Sequence, residues 1–122
     1  MEERILVVDD DPITRMVLRH MLEQVGYTVT EAGDGLEALQ KLHEAEPHLM
    51  LLDLVMPHFD GFQVCRYLRN TAVSSPPIII LSGKTERDTI DQGQRLGARQ
   101  YLTKSILPSE IMHQIRNVLA AH

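Results

Sequence analysis

Six polar residues in this 122-residue chain have the types and spacing for phosphate or metal chemistry. Three consecutive carboxylates follow the apolar run at residues 5–8, and another aspartate follows the run at 49–52. A serine and a lysine come directly after two later runs. The six residues are Asp9, Asp10, Asp11, Asp53, Ser82 and Lys104. Because crowded carboxylates raise one another's pKa values, such a group of acids indicates a divalent cation or a positive side chain close by.

The elements that position these residues follow from an alternation of five apolar runs with five stretches of helical spacing. We predict strands over residues 5–8, 27–30, 49–52, 78–81 and 100–103. Alternating strands and helices form right-handed βαβ units, hence a parallel sheet with helices on both faces. Ligands of such sheets bind at the carboxyl ends of the strands, where the six residues collect. Glu31, after the second strand, is expected outside the site.

Residues at the helix ends support this assignment. Pro12 suits the first position of the first helix, and Asp11 suits its start, beside the positive end of the helix dipole. Three apolar residues spaced by four fall on one face of this helix, with Met16 beside them: Ile13, Val17 and Met21. We expect the six methionines to be core residues.

Two further signals concern the later helices. Thr85, with Asp88 three residues on, resembles a capping box at the start of the fourth helix, and Gly97 fits its end. Cys65 lies at helical spacing with apolar neighbours, so we expect it in the core.

Composition excludes several classes of function. A net charge of −5 without a basic run disfavours direct binding to nucleic acid or to an acidic membrane. No apolar run approaches the roughly 18 residues of a membrane span. A lone cysteine allows no intrachain disulfide and fits a reducing compartment. We therefore expect a cytoplasmic protein whose residues 1–122 form one domain.

The residue types fit phosphoryl transfer. Mg²⁺ prefers oxygen ligands such as one or two carboxylates. An aspartate can attack phosphorus and form an aspartyl phosphate, and a lysine can pair with a phosphoryl oxygen or a carboxylate. In reactions of this kind the protein mainly positions groups and neutralises charge.

Four segments together resemble the receiver domain of response regulators in two-component signalling, the CheY-like family. They are ILVVDDDP, LLDLVMPHFDGF, IIILSG and GARQYLTK, and the similarity covers essentially the whole chain. The resemblance implies a single doubly wound (βα)5 domain of the flavodoxin-like class, with strand order 2-1-3-4-5. It also implies a signalling switch that is not a turnover enzyme.

The resemblance also implies roles for the acids. Asp53 would accept a phosphoryl group from a histidine kinase or a phosphotransfer protein. Mg²⁺, or Mn²⁺, would be held by Asp9, Asp10 and Asp53 together with the backbone carbonyl of Val55. Lys104 would pair with the phosphoryl group.

The resemblance also implies a conformational switch that involves Ser82 and Tyr101. Ser82 would be drawn to the phosphoryl group, and Tyr101 would turn in response. The surface of the fourth helix, fifth strand and fifth helix would then bind a downstream protein or effector domain, or a second copy in a homodimer.

Two alternatives stay open. Asp9-Asp10-Asp11 also resembles the D-x-D motif of haloacid-dehalogenase phosphatases, with Asp9 as nucleophile, although Glu110 is the only acid after Lys104 and Asp53 would have no role. Ser105 stands where receivers usually have a proline after a cis bond. A cis bond before a non-proline residue costs about 2.5–4 kcal/mol, so we predict trans. Because Ser105 replaces the usual proline, the second alternative is a receiver-like binding module that works without phosphorylation.

Overall fold

The computed structural model describes residues 2–71 and 75–121, in which strands and helices alternate. The elements are β1 (Arg4–Val8), α1 (Pro12–Gln24), β2 (Thr28–Ala32), α2 (Gly35–Ala45), β3 (Leu49–Leu52), α3 (Gly61–Asn70), β4 (Ile78–Ser82), α4 (Arg87–Arg95), β5 (Gln100–Thr103) and α5 (Pro108–Ala121). Over these two ranges, no helix has the length and apolar character needed to cross a bilayer.

The five strands form one parallel sheet in the order β2-β1-β3-β4-β5, which confirms the predicted fold class. Val8 is opposite Leu52, and Leu52 is opposite Ile80. The carboxyl ends of β1, β3 and β4 therefore meet at one edge of the sheet. Residues that follow these strands are brought together there, although they are far apart in sequence.

Alternate residues of the central strands enter two hydrophobic clusters on opposite faces of the sheet. One cluster joins Leu6, Met50 and Ile80 to α2 and α3. The other joins Ile5, Leu51 and Ile79 to α1 and α5. Because β1, β3 and β4 are covered on both faces, their sequences are apolar without alternation. Burial of each such side chain contributes about 1.5–3 kcal/mol. Cys65 is buried in the first cluster, as predicted.

The apolar face predicted for α1 is not the face that packs on the sheet. Leu18 and Leu22 are buried, whereas Ile13, Met16 and Val17 are 66%, 61% and 49% exposed. The prediction that every methionine is a core residue is therefore wrong for Met16. The helix has two apolar stripes, and contacts with β1 and α5 decide which one is buried.

The predicted capping box at Thr85 is also wrong. Helix α4 begins at Arg87 with Glu86 as its N-cap, and no side chain caps it. Before this point, Ser82 and Tyr101 both hydrogen-bond the backbone of Lys84, and Glu86 has an extended conformation. Gly97 follows the helix with a φ of 101°, which fits its predicted role at the helix end.

Two other boundaries matter for the site. Strand β2 runs to Ala32, so Glu31 lies inside this strand, beyond the predicted end at residue 30. The described residues contain no cis peptide bond, so the Lys104–Ser105 bond is trans, as predicted.

Candidate functional site

Asp9 follows β1 directly and is held through both its backbone and its side chain. Its N–H donates to the carbonyl of Ala32 at 3.1 Å, which continues the pairing of β1 with β2. Oδ1 accepts from the Asp11 N–H at 2.9 Å, and Oδ2 accepts from Lys104 Nζ at 2.8 Å. Since Asp9 is only 2% exposed, these partners take the place of water around the carboxylate. Asp9 is thus fixed at the edge of the sheet.

Asp53 follows β3 beside Asp9 and is 5% exposed. Its N–H donates to the Val8 carbonyl at 2.9 Å, and its Oδ2 lies 3.4 Å from Lys104 Nζ. Burial raises the pKa of the Asp53 carboxyl, and the negative charge of Asp9 raises it further. The ammonium of Lys104 opposes this rise without cancelling it. Asp53 therefore bears a charge that its surroundings only partly offset.

Lys104 follows β5 and lies between the two buried carboxylates. Burial alone would lower the pKa of its ammonium, but the hydrogen bond to Asp9 and the charge of Asp53 raise the pKa overall. The ammonium is thereby kept positive at the point where the acids converge. A negatively charged group bound to the Asp53 carboxylate would therefore lie beside the Lys104 ammonium.

Three carboxylates are close enough to share a metal ion. Oxygen atoms of Asp9, Asp10 and Asp53 all lie within 4.8 Å of one another, and Asp10 is exposed to solvent. One lysine faces these three acids, which leaves an excess of negative charge. The cluster offers oxygen ligands, carries excess negative charge and is open to solvent at Asp10. These three properties suit a hard divalent cation such as Mg²⁺.

Asp11 belongs to α1 and not to the cluster. Its carboxylate accepts from the Ile13 N–H at 3.1 Å and from the Thr14 hydroxyl at 2.7 Å. The bond from Thr14, followed by that from Ile13, lowers the pKa of the Asp11 carboxyl. Asp11 is the N-cap of α1, which agrees with its predicted place at the start of this helix.

Ser82 and Tyr101 meet at the backbone of Lys84, on the other side of Asp53. Ser82 is fully buried at the end of β4, and its Oγ accepts from the Lys84 N–H at 3.1 Å. The Tyr101 hydroxyl donates to the Lys84 carbonyl at 2.7 Å. A Cβ on Gly93 of α4 would lie 3.3 Å from the Tyr101 ring, so this glycine leaves room for the ring against the helix. The serine and the tyrosine are therefore linked through one residue.

Val55 lies beside the cluster with an exposed side chain. Its N–H is 3.5 Å from Asp53 Oδ1, which is the limit of a hydrogen bond. The metal-binding role of its carbonyl stays a prediction.

Two further residues shape this edge, Gly61 and Arg15, and the sequence did not predict the contacts of Arg15. Gly61 lies so close to β3 that a Cβ there would be 2.4 Å from the carbonyl oxygen of Asp53. Arg15 donates to the Asp9 carbonyl and pairs with Glu31. Its position four residues after the N-cap Asp11 was the available signal, because a side chain there lies over the first turn of the helix.

Comparison with known proteins agrees with this geometry. The sequence profile of the family described as "Response regulator receiver domain" matches residues 5–116. The chain is 39% identical over 119 residues to the "Alkaline phosphatase synthesis transcriptional regulatory protein PhoP" of Bacillus subtilis, covering 98% of this chain and 49% of PhoP. It is 41% identical over 118 residues to the "Probable transcriptional regulator ycf27" of Porphyridium aerugineum, covering 97% and 48%. The chain thus spans about half the length of these relatives.

Solved structures show the same fold. The chemotaxis protein CheY4 of Vibrio cholerae superposes with a TM-score of 0.88 at 29% identity, covering 97% of this chain and 99% of CheY4. A putative response regulator from Chloroflexus aurantiacus gives 0.91 at 30% identity, covering 98% and 99%. Receiver domains are phosphorylation-activated signalling domains, not turnover enzymes, and they interact with histidine kinases and downstream effectors. This chain belongs to the response regulator receiver domain family.

Proposed function

We propose that residues 1–122 form a phosphorylation-controlled switch in which Asp53 accepts a phosphoryl group from a histidine kinase or a phosphotransfer protein. One observation supports this choice most directly. Among the described residues, Asp9 and Asp53 are the two buried members of the three-carboxylate cluster, and Lys104 contacts both. Lys104 and the Asp11 N–H engage both oxygens of Asp9 at 2.8 and 2.9 Å, whereas Asp53 has only contacts of 3.4 and 3.5 Å, which leave its carboxylate freer to react. A cytoplasmic location without direct contact to nucleic acid or membrane remains part of the proposal.

The reaction is a displacement at phosphorus. An Asp53 carboxylate oxygen forms the new O–P bond, the N–P bond to the donor's histidine breaks, and the imidazole nitrogen keeps the electron pair and takes up a proton. Lys104, already between Asp9 and Asp53, pairs with the added charge. Mg²⁺ or Mn²⁺ would be held by Asp9, Asp10, Asp53 and the Val55 carbonyl, and it would offset the charge of the phosphoryl oxygens.

The output would begin at Ser82. Its Oγ accepts a hydrogen bond from the Lys84 N–H, and its hydroxyl also interacts with the Tyr101 hydroxyl, an interaction that it would exchange for one with a phosphoryl oxygen. Movement of Ser82 would disturb the Lys84 backbone to which Tyr101 is bonded. The change would thereby reach the face of α4, β5 and α5, where a downstream protein, an effector domain or a second copy of the chain would bind.

Intact-mass measurement after incubation with acetyl phosphate tests the proposal. The wild type should gain one phosphoryl group with Mg²⁺ and none with EDTA. Asp53→Asn should gain none, whereas Asp11→Asn, which alters an acid outside the cluster, should behave as the wild type.

The alternatives predict other outcomes. No gain in the wild type would favour a phosphorylation-independent binding module. A gain kept in Asp53→Asn and lost in Asp9→Asn would favour a phosphatase-like site with Asp9 as nucleophile.

A further inference from the structure

Arg15 connects the acidic cluster to β2 without touching any carboxylate of the cluster. Its Nη1 donates to the backbone carbonyl of Asp9 at 2.6 Å, and its Nε donates to Glu31 Oε1 at 3.1 Å. The side chain is 20% exposed, so the guanidinium is largely enclosed. A planar group bound at two points, one just after β1 and one in β2, is held in one orientation.

The bond to the Asp9 carbonyl fixes the peptide plane between Asp9 and Asp10. A peptide unit is planar, so an orientation imposed on its carbonyl is passed to the next Cα. The preceding peptide, between Val8 and Asp9, is held separately by the bond from the Asp9 N–H to the Ala32 carbonyl. The Asp10 carboxylate is exposed and accepts no hydrogen bond within the part of the chain that the structure describes. Its direction depends on the peptide that precedes it.

We propose that Arg15 is a positioning residue for the divalent cation. Through the Asp9 carbonyl, it keeps the Asp10 carboxylate within reach of Asp9 and Asp53. This inference rests on the proposed function, in which these acids bind Mg²⁺. Arg15 would favour Mg²⁺ binding by orienting Asp10. Its positive charge would oppose binding, because a cation near the cluster repels Mg²⁺.

Positioning of Asp10 by Arg15 would strengthen Mg²⁺ binding, whereas the positive charge of Arg15 would weaken it. Measurement of Mg²⁺ affinity therefore separates the two effects. Mg²⁺ is titrated into unphosphorylated protein, and amide shifts near Asp9, Asp10 and Asp53 are followed by NMR. We expect Arg15→Gln and Arg15→Lys each to raise the dissociation constant about tenfold, equivalent to about 1.4 kcal/mol. Charge alone predicts a lower constant for Arg15→Gln and an unchanged one for Arg15→Lys.

Arg19→Gln is the matched control. Arg19 pairs with the same Glu31 from the same helix, at 2.8 Å, but does not bond to Asp9. Its loss should leave Mg²⁺ affinity within about twofold of the wild type. An equal loss in Arg19→Gln would overturn the specific role of Arg15.

Phosphorylation by acetyl phosphate gives a second readout. In Arg15→Lys, the Mg²⁺ concentration for half-maximal rate should rise about tenfold, while the rate at saturating Mg²⁺ stays within twofold. An unchanged or lower dissociation constant in a folded Arg15→Gln protein overturns the inference alone. A wild type whose amides near the three acids do not respond to Mg²⁺ overturns the proposed metal site, and the role of Arg15 with it.

Discussion

The pKa values of Asp53 and Asp11 are shifted in opposite directions although both aspartates lie at the same edge of the sheet. Burial and then the charge of Asp9 raise the first, whereas hydrogen bonds from Thr14 and Ile13 lower the second. A raised pKa means that the folded state disfavours the charged carboxylate. The unmodified fold therefore carries a penalty at Asp53 and none at Asp11.

Replacement of Asp53 by asparagine should stabilise the domain in metal-free buffer. We expect the free energy of unfolding in urea at pH 7 to rise by about 1 kcal/mol, the common size of single-substitution effects. The penalty is fully present above the raised pKa and is relieved as pH falls through it. The gain over wild type should therefore shrink on acidification.

Asp11→Asn provides the contrast. The native fold favours the charged form of Asp11, and asparagine is an equally good N-cap. No stabilisation should appear in the same urea series. A gain as large as that of Asp53→Asn would show that general reduction of negative charge, and not burial of Asp53, is responsible.

Side-chain length explains what the sequence could and could not predict about the site. Asp9, Asp53 and Lys104 follow strands directly, so the order of elements alone places them together. Arg15 lies inside α1 and reaches the cluster by a long side chain. Its target is a backbone carbonyl, which no residue type in the sequence marks.

At the scale of secondary-structure elements, the pattern of apolar residues predicted the positions of the strands better than it predicted which face of a helix is buried. Strands β3 and β5 have the predicted bounds, although only β3 is apolar throughout and β5 is a mixed, partly exposed segment. Helix α1 has apolar residues on two stripes, and periodicity gives their spacing without saying which stripe faces the sheet. Only the packing of Leu18 and Leu22 decides this.

The start of α3 depends on the absence of a side chain at Gly61. An alanine Cβ there would lie 2.4 Å from the Asp53 carbonyl oxygen and 2.8 Å from Leu54 Cα, which are both backbone atoms. We expect Gly61→Ala to lower the free energy of unfolding by about 1–3 kcal/mol, as overpacking does. It should also slow phosphorylation, because Asp53 must shift with its own backbone.

Gly83→Ala is the control for this prediction. Apart from its two chain neighbours, no atom of the described residues lies within 4 Å of the Cβ that it would add. Its unfolding free energy should change by no more than about 0.5 kcal/mol. Equal losses in the two variants would refute the argument from close approach.

At the scale of the whole molecule, two hydrophobic clusters share one sheet. Ile80 belongs to the cluster with α2 and α3, and Ile115 to the cluster with α1 and α5; both are fully buried. The sheet separates the two side chains and also makes both clusters depend on the same strands. We therefore expect one unfolding transition with independent local contributions.

A double-mutant cycle measures this. Ile80→Val and Ile115→Val should each cost about 0.5–1.5 kcal/mol, with the double variant additive within about 0.5 kcal/mol. Urea curves should keep one transition throughout. Two separated transitions, or a coupling energy above about 1 kcal/mol, would contradict the expectation.

The ion pair between Lys104 and Asp9 joins residues that are 95 positions apart. During synthesis the acids leave the ribosome first, and their cation comes only with the end of β5. A nascent chain therefore lacks this counter-charge until β5 has been synthesised. We therefore expect closure of the sheet and neutralisation of its acidic edge to coincide, when β5 pairs with β4 and brings Lys104 to Asp9 and Asp53.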